Sequence, residues 1–139
     1  MRRPRGLQGR KEKEKYSLKE PIEIIFPFAT PTGWKFKGHY GWRALMGWNK
    51  KCDRYLDGYE TVKKWQAKGR RKVTITRHHK NKRDRIKDDV NLREGCKPLI
   101  DALDRKGLLF KDTTEYLNDV YYQKITKKEP FTHVKIEDV

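Results

Sequence analysis

The chain has 139 residues, with 35 Lys and Arg against 19 Asp and Glu, so its formal net charge is +16. This length predicts one domain, and no run of roughly 18 apolar residues occurs that would predict a transmembrane helix. The basic N-terminus has no apolar segment behind it, so we expect no secretory signal. Cys52 and Cys96 lack CxxC spacing, which predicts reduced thiols in a cytoplasmic protein rather than a disulfide framework or a zinc site.

The excess positive charge is not confined to one end. Residues 1–19 hold eight Lys and Arg and two Glu, which predicts a flexible basic arm, yet the remaining domain at 20–139 still carries +10. Such charge favours a polyanionic partner, although a solvated basic face of a ribosomal or chaperone-like protein has the same composition. The densest run is 70–87, and its predicted nucleic-acid-binding residues are Arg70, Arg71, Lys72, Arg77, Lys80, Lys82, Arg83 and Arg85.

The first half of the domain predicts a strand, a loop and a helix. The run IEIIFPFATP predicts a short strand that ends at Pro27 or Pro31, and TPTGWKFKGHYG predicts a loop carrying three aromatic residues. From Trp42 to Val62, apolar residues recur at helical spacing, and Asp57-Gly58 can divide this helix. We expect its aromatic residues to pack on a sheet rather than to form a base-stacking platform.

The second half predicts a strand over Lys72–His79, a short helix and two further strands. The helix lies in CKPLIDALDRKG, with Pro98 in its first turn and Gly107 at its end. The strands DVYYQKIT and FTHVKIEDV alternate in polarity, and KKEP predicts a hairpin between them. The order of elements predicts an α+β fold with a small mixed or antiparallel sheet packed by two helices.

Acidic residues flank the short helix. Asp88 and Asp89 precede it and Asp112 follows it, so a chain that returns over the helix would bring their carboxylates together. Such hard oxygen ligands suit Mg²⁺, which can activate a water molecule for attack on a phosphodiester, and Lys97 would then reach a phosphate oxygen. Composition alone favours the alternative that Asp88 and Asp89 are surface or cap residues beside the neighbouring arginines.

The stretch KDDVNLREGCKPLIDALDRKGLLFKD, at 87–112, resembles the core motif of the RusA-type endodeoxyribonucleases, the Holliday-junction resolvases of phages and prophages. That motif has an acidic pair around DxDN-L, a lysine, an apolar helix and a glycine followed by an acidic turn. The matching positions are Asp88, Asn91, Leu92, Gly95, Lys97, Pro98, Leu99, Ile100, Asp101, Ala102, Leu103, Gly107, Leu108 and Asp112.

The resemblance implies a RusA-like homodimer that acts in DNA recombination and repair, binding four-way DNA junctions and cutting them by paired nicks with Mg²⁺ or Mn²⁺. It implies that Asp88 and Asp112 bind the metal and that Lys97 steadies the phosphate. Asn91 and Asp101 would support this site, but an ion pair between Lys97 and Asp101, one helical turn apart, explains Asp101 equally well.

The sequence departs from the motif at two positions. Val90 stands where the second Asp of DxDN is expected, although Asp89 can replace that ligand if the loop is shifted, and Lys111 precedes Asp112 where members often have a second acid. The departures leave open a basic DNA- or RNA-binding protein of the same fold whose nuclease site has decayed. A ribosomal or RNA-associated protein is a third interpretation.

Overall fold

The computed structural model describes residues 18, 20–58, 65–110 and 117–139. Within them a mixed sheet has the order β1-β4-β2-β3, with β2 antiparallel to β4 and parallel to β3. The strands are β1 (Ile22–Phe26), β2 (Arg71–His79), β3 (Leu117–Ile125) and β4 (Phe131–Asp138). The helices are α1 (Gly41–Asp57), α2 (Asp89–Gly95) and α3 (Lys97–Arg105), with short 3-10 turns at Gly33–Phe36 and Lys82–Asp84. The predicted α+β fold is confirmed, and its sheet is mixed.

The predicted hairpin between the last two strands is wrong, because β2 lies between β3 and β4. Ile75 in the middle of β2 is paired with Tyr121 of β3 on one side and Val134 of β4 on the other. The connection at 126–130 crosses the end of β2, where the Thr126 amide donates to the His79 carbonyl at 2.9 Å. Five residues span the roughly 10 Å between strands that are two places apart, so this short connection permits either arrangement.

The core lies between one face of the sheet and the helices. Every second residue of β1 and β4 is buried, as alternation of side chains along a strand requires. The cluster includes Ile24, Phe26, Val73, Ile75, Val134 and Ile136 from the sheet, with Cys52, Leu56, Leu99 and Leu103 from the helices. Cys52 and Cys96 are both free and buried, as predicted for reduced thiols.

The segment from Asp88 to Gly107 forms two consecutive short helices. Pro98 lies in the first turn of α3, where its missing N–H is not needed, and Gly107 ends the helix with φ +79°. Both features were predicted. The preceding helix α2 was not predicted, because its sequence DVNLREG contains few apolar residues and resembles a loop between two elements. Asp88 initiates α2 by capping its N-terminus.

Helix α1 exposes much of its predicted packing face. Cys52 and Leu56 are buried, and the aromatic residues Trp48 and Tyr55 pack against the core. Trp42 is 56% and Met46 49% exposed, so the predicted packing of the aromatic residues is wrong for Trp42. The first turn of α1 lies against the 3-10 turn, since a Cβ on Gly41 would meet the Phe36 carbonyl oxygen at 2.3 Å. The residues of α1 that pack in or against the core begin at Trp48. Tyr59 and Val62, predicted on the same face, lie outside the described residues.

Of the predicted arm at 1–19, the structure describes Leu18. Its amide donates to Asp138 Oδ2 at 2.7 Å, and its side chain packs against the core. The other residues of that segment lie outside the described ranges, so a flexible arm remains a prediction. No helix in the described parts of the chain combines the length and apolar character needed to cross a membrane.

Candidate functional site

Asp88 is the N-cap of α2. Its Oδ1 accepts the backbone N–H of Asn91 at 2.8 Å, and its Oδ2 accepts the Asn91 side-chain amide at 2.7 Å. These two hydrogen bonds, aided by the positive charge of Lys37, hold the pKa of Asp88 below its ordinary value. The carboxylate is exposed, and each of its oxygens can accept more than one bond, so capping leaves it able to contact a cation.

The next two residues are also exposed. Asp89 is the first residue of α2 and gives a second carboxylate beside Asp88, while Val90 is 61% exposed and contributes no metal ligand. Asn91 is buried, and its Oδ1 has no hydrogen-bond partner in the described residues. The adjacent acids are the hard oxygen ligands that Mg²⁺ prefers, so they fit part of a magnesium site.

The third predicted ligand, Asp112, lies outside the described residues. Its approach to Asp88 and Asp89 therefore stays a prediction. In the ranges that are described, no group of three or more His, Cys, Asp or Glu side chains is placed to hold a metal. Any complete site must draw on a residue beyond those ranges or on fewer protein ligands.

Lys97 and Asp101 face each other on α3. The Lys97 ammonium lies 3.9 Å from Asp101 Oδ1, which is the intrahelical pair expected at this spacing. Lys97 is largely exposed and Asp101 half-buried. Ion pairs at the surface contribute little free energy, so this contact does not prevent Lys97 from turning to a phosphate.

Sequence analysis missed a further carboxylate, Asp119 on β3. It is mostly buried, lies 3.1 Å from Arg93 Nη2 of α2, and accepts a 2.7 Å hydrogen bond from the Tyr121 hydroxyl. Burial, together with this contact, raises the pKa of Tyr121. Asp119 and Tyr121 are two apart on a strand and so lie on the same face, which is the signal in the sequence that could have paired them. Asp119 ties α2 to the sheet.

Two of the predicted DNA-binding residues are structural. Arg71 is 1% exposed; its Nη1 donates to the carbonyls of Trp65 at 2.6 Å and Leu108 at 2.7 Å, and its Nε contacts Asp138 at 2.9 Å. The prediction that Arg71 binds DNA is therefore wrong, because its buried guanidinium donates to two backbone carbonyls and to Asp138 within the protein.

The prediction that Arg77 binds DNA is wrong for the same reason, because this side chain is also buried and bonded within the protein. Its Nε donates to the Thr30 carbonyl at 2.7 Å and its Nη1 to the Asp84 carbonyl at 2.9 Å. Burial lowers the pKa of Arg77 from its ordinary value. Lys72, on the same strand, is half-buried, whereas the remaining predicted contacts are exposed at Arg70, Lys80, Lys82, Arg83 and Arg85.

Residues 80–87, here called the basic loop, lead directly into Asp88. The loop is fixed in two places. Arg77 donates a hydrogen bond to the backbone carbonyl of Asp84 in the loop. The Gln123 side chain accepts from the Ile86 backbone amide and donates to the Ile86 carbonyl, each at 2.9 Å. Five exposed cations, Lys80, Lys82, Arg83, Arg85 and Lys87, therefore lie on an anchored segment immediately before the exposed acids.

In comparisons with known proteins, no family model matches this chain, and no curated protein matches it at a significant level.

Proposed function

We propose that this chain is a metal-dependent endodeoxyribonuclease that resolves four-way DNA junctions by paired nicks, acting as a homodimer in the cytoplasm. One observation supports the proposal best: the exposed carboxylates of Asp88 and Asp89 directly follow the cations of the basic loop. Potential metal ligands thus adjoin a surface suited to the phosphates of a DNA strand.

The basic loop would bind DNA through its phosphates. Lys80, Lys82, Arg83 and Arg85 are exposed, and neutralising phosphates releases counterions from DNA, so binding should weaken steeply with salt. Because Arg77 and Gln123 anchor the loop, these cations are already arranged before DNA arrives. Such contacts position the strand without reading its sequence.

Asp88 and Asp89, with Asp112 as the predicted third ligand, would hold Mg²⁺ or Mn²⁺. The bound ion would supply an activated water and neutralise charge on the phosphodiester. Lys97 at the start of α3 would release Asp101 and contact the phosphate, stabilising the negative charge that develops during cleavage.

A cleavage assay on four-way junction, flap and plain duplex DNA, with and without Mg²⁺, tests the proposal. We expect nicks in the junction only with the divalent ion, and loss of nicking in Asp112→Asn. Asp57→Asn is the matched control, because Asp57 is an exposed acid that lies outside the motif and whose ion-pair partner is Lys106. Unchanged nicking by Asp112→Asn would contradict the site assignment.

A second candidate function is a junction-binding protein of the same fold that no longer cleaves. One observation favours it: Val90 is exposed where a ligand is expected, so this position adds no carboxylate to the site. Such a protein would bind junctions with steep salt dependence and leave them intact at any Mg²⁺ concentration. Cleavage gained by Val90→Asp would support this version, whereas cleavage by the unaltered chain would exclude it.

A further inference from the structure

A groove of about 780 Å³ lies where the 3-10 turn at Gly33–Phe36 meets the start of α1. Lys35, Lys37 and Lys51 line it, together with His39 and the rings of Tyr40 and Trp48. No carboxylate is among the described residues that line it. The groove therefore combines positive charge with aromatic surface and suits an anionic ligand that has flat apolar parts.

Trp48 packs partly against the core, but three other aromatic rings at or near the groove are exposed. Tyr40 is 69% exposed, and Trp34 and Trp42 on either side are 68% and 56% exposed. Burying a large aromatic ring lowers the free energy, so three exposed rings within nine residues form an unusual surface. None of the three is among the residues that pack against the core.

Cations lie close to these rings. Lys51 Nζ is 4.6 Å from the centre of the Trp48 ring, and the Arg43 guanidinium is 5.7 Å from the Tyr40 ring and 5.3 Å from the Trp42 ring. A nucleotide has a flat base and an anionic phosphate, so ring and cation at this separation match its two parts.

The groove also adjoins the candidate cleavage site. Lys37 on its wall lies 3.5 Å from Glu94 of α2, and its charge acts on Asp88 at the start of that helix. A strand that passed the carboxylates of Asp88 and Asp89 would have the groove within its path.

We propose that this groove binds unpaired nucleotides of a single DNA strand, with a base stacked on Tyr40 beside Trp48 and phosphates on Lys35 and Lys51. This inference deepens the proposed function and rests on its DNA-binding part. Bases expose their faces only when a strand is unpaired, so the groove would select the open centre of a branched DNA or a single-stranded flank over continuous duplex.

The test compares a fluorescently labelled 12-nucleotide oligo(dT) with a 12-base-pair duplex by anisotropy, using the full chain without divalent ions. We expect Tyr40→Ala to weaken oligo(dT) binding about tenfold, in the range of one lost base–aromatic stack, and to leave duplex binding unchanged. Tyr40→Phe should restore binding because the ring remains. Tyr122→Ala is the matched control, since Tyr122 is 54% exposed on β3.

Charge variants complete the test. Lys35→Gln and Lys51→Gln should each lower the salt dependence of oligo(dT) binding, whereas Lys82→Gln in the basic loop should weaken duplex and single strand alike. Equal competition by poly-glutamate, or oligo(dT) affinity unchanged by Tyr40→Ala, would overturn the groove proposal even if the chain nicks junctions. Binding that depends on Tyr40 without any nicking would support the groove and count only against hydrolysis.

Discussion

Asp88 binds both nitrogen donors of Asn91, one through each carboxylate oxygen, and so caps helix α2 with the same group that is predicted to hold a metal. The two roles are compatible because the carboxylate is exposed and its oxygens retain free acceptor positions. They can nevertheless be separated by substitution, because capping needs a polar side chain whereas metal binding needs negative charge.

Asp88→Asn should retain the fold and lose Mg²⁺-dependent nicking. Asn caps helices about as well as Asp, whereas Ala does not, so Asp88→Ala should lower the thermal midpoint as well. Circular dichroism and the junction assay measure the two effects. Nicking by Asp88→Asn at the original rate would remove Asp88 from the site, and an unchanged midpoint in Asp88→Ala would refute the capping role.

Arg70, which immediately precedes β2, and Arg71, the first residue of β2, should have opposite roles. Arg71→Met should lower the free energy of unfolding by about 3 kcal/mol, because buried carbonyls of Trp65 and Leu108 lose their donor. Arg70→Met should change it by less than about 0.5 kcal/mol and weaken DNA binding, since Arg70 is exposed. Urea titration and a DNA-binding assay check the pair. Equal destabilisation by both variants would contradict the structural assignment.

The arginine result shows what the sequence could have revealed. Arg71 and Arg77 are in phase with Val73 and Ile75, so strand alternation places them on the inward face, yet charge density alone grouped them with the exposed cations. Strand bounds and the helix end at Gly107 were predictable because their signals are local. The β3–β4 hairpin was not, because strand order depends on contacts between distant segments.

Less of the candidate site could be predicted from the sequence. Adjacent acids before a short helix predicted that Asp88 and Asp89 are either metal ligands or surface and cap residues. The structure shows that Asp88 caps α2, and metal binding by either acid stays a prediction. Exposure of Trp42 could not be read from helical spacing, because spacing defines a face without saying what covers it.

Two glycines should respond oppositely to alanine. A Cβ on Gly95 would lie 1.7 Å from the Pro31 carbonyl oxygen, a backbone atom that cannot move aside, so Gly95→Ala should destabilise the protein by about 3 kcal/mol. Nothing lies within 4 Å of a Cβ on Gly47 inside α1, where alanine should stabilise by about 0.5–1 kcal/mol. Chemical denaturation compares the two. A stable Gly95→Ala variant would show that α2 does not pack against Pro31 this closely.

The two thiols should be inert until the protein unfolds. Cys52 is 1% and Cys96 0% exposed, and burial raises the pKa of Cys52 to about 12 and that of Cys96 to about 11. At pH 8 both remain protonated, so a chromogenic disulfide reagent should label neither in the native protein and both in denaturant. Fast labelling of the native chain at either residue would contradict this burial.

The same shifts predict how stability depends on pH. Because the folded-state pKa of each thiol lies above its ordinary value of 9.0, the native state holds these protons more tightly than the unfolded chain. The stabilisation is complete below pH 9 and is lost as pH rises towards 11 and 12. Urea titrations from pH 8 to 10.5 should therefore show a free energy of unfolding that falls as pH rises. The fall should be shallower in Cys52→Ala. The same dependence of stability on pH in that variant would mean that the Cys52 thiol does not cause the effect.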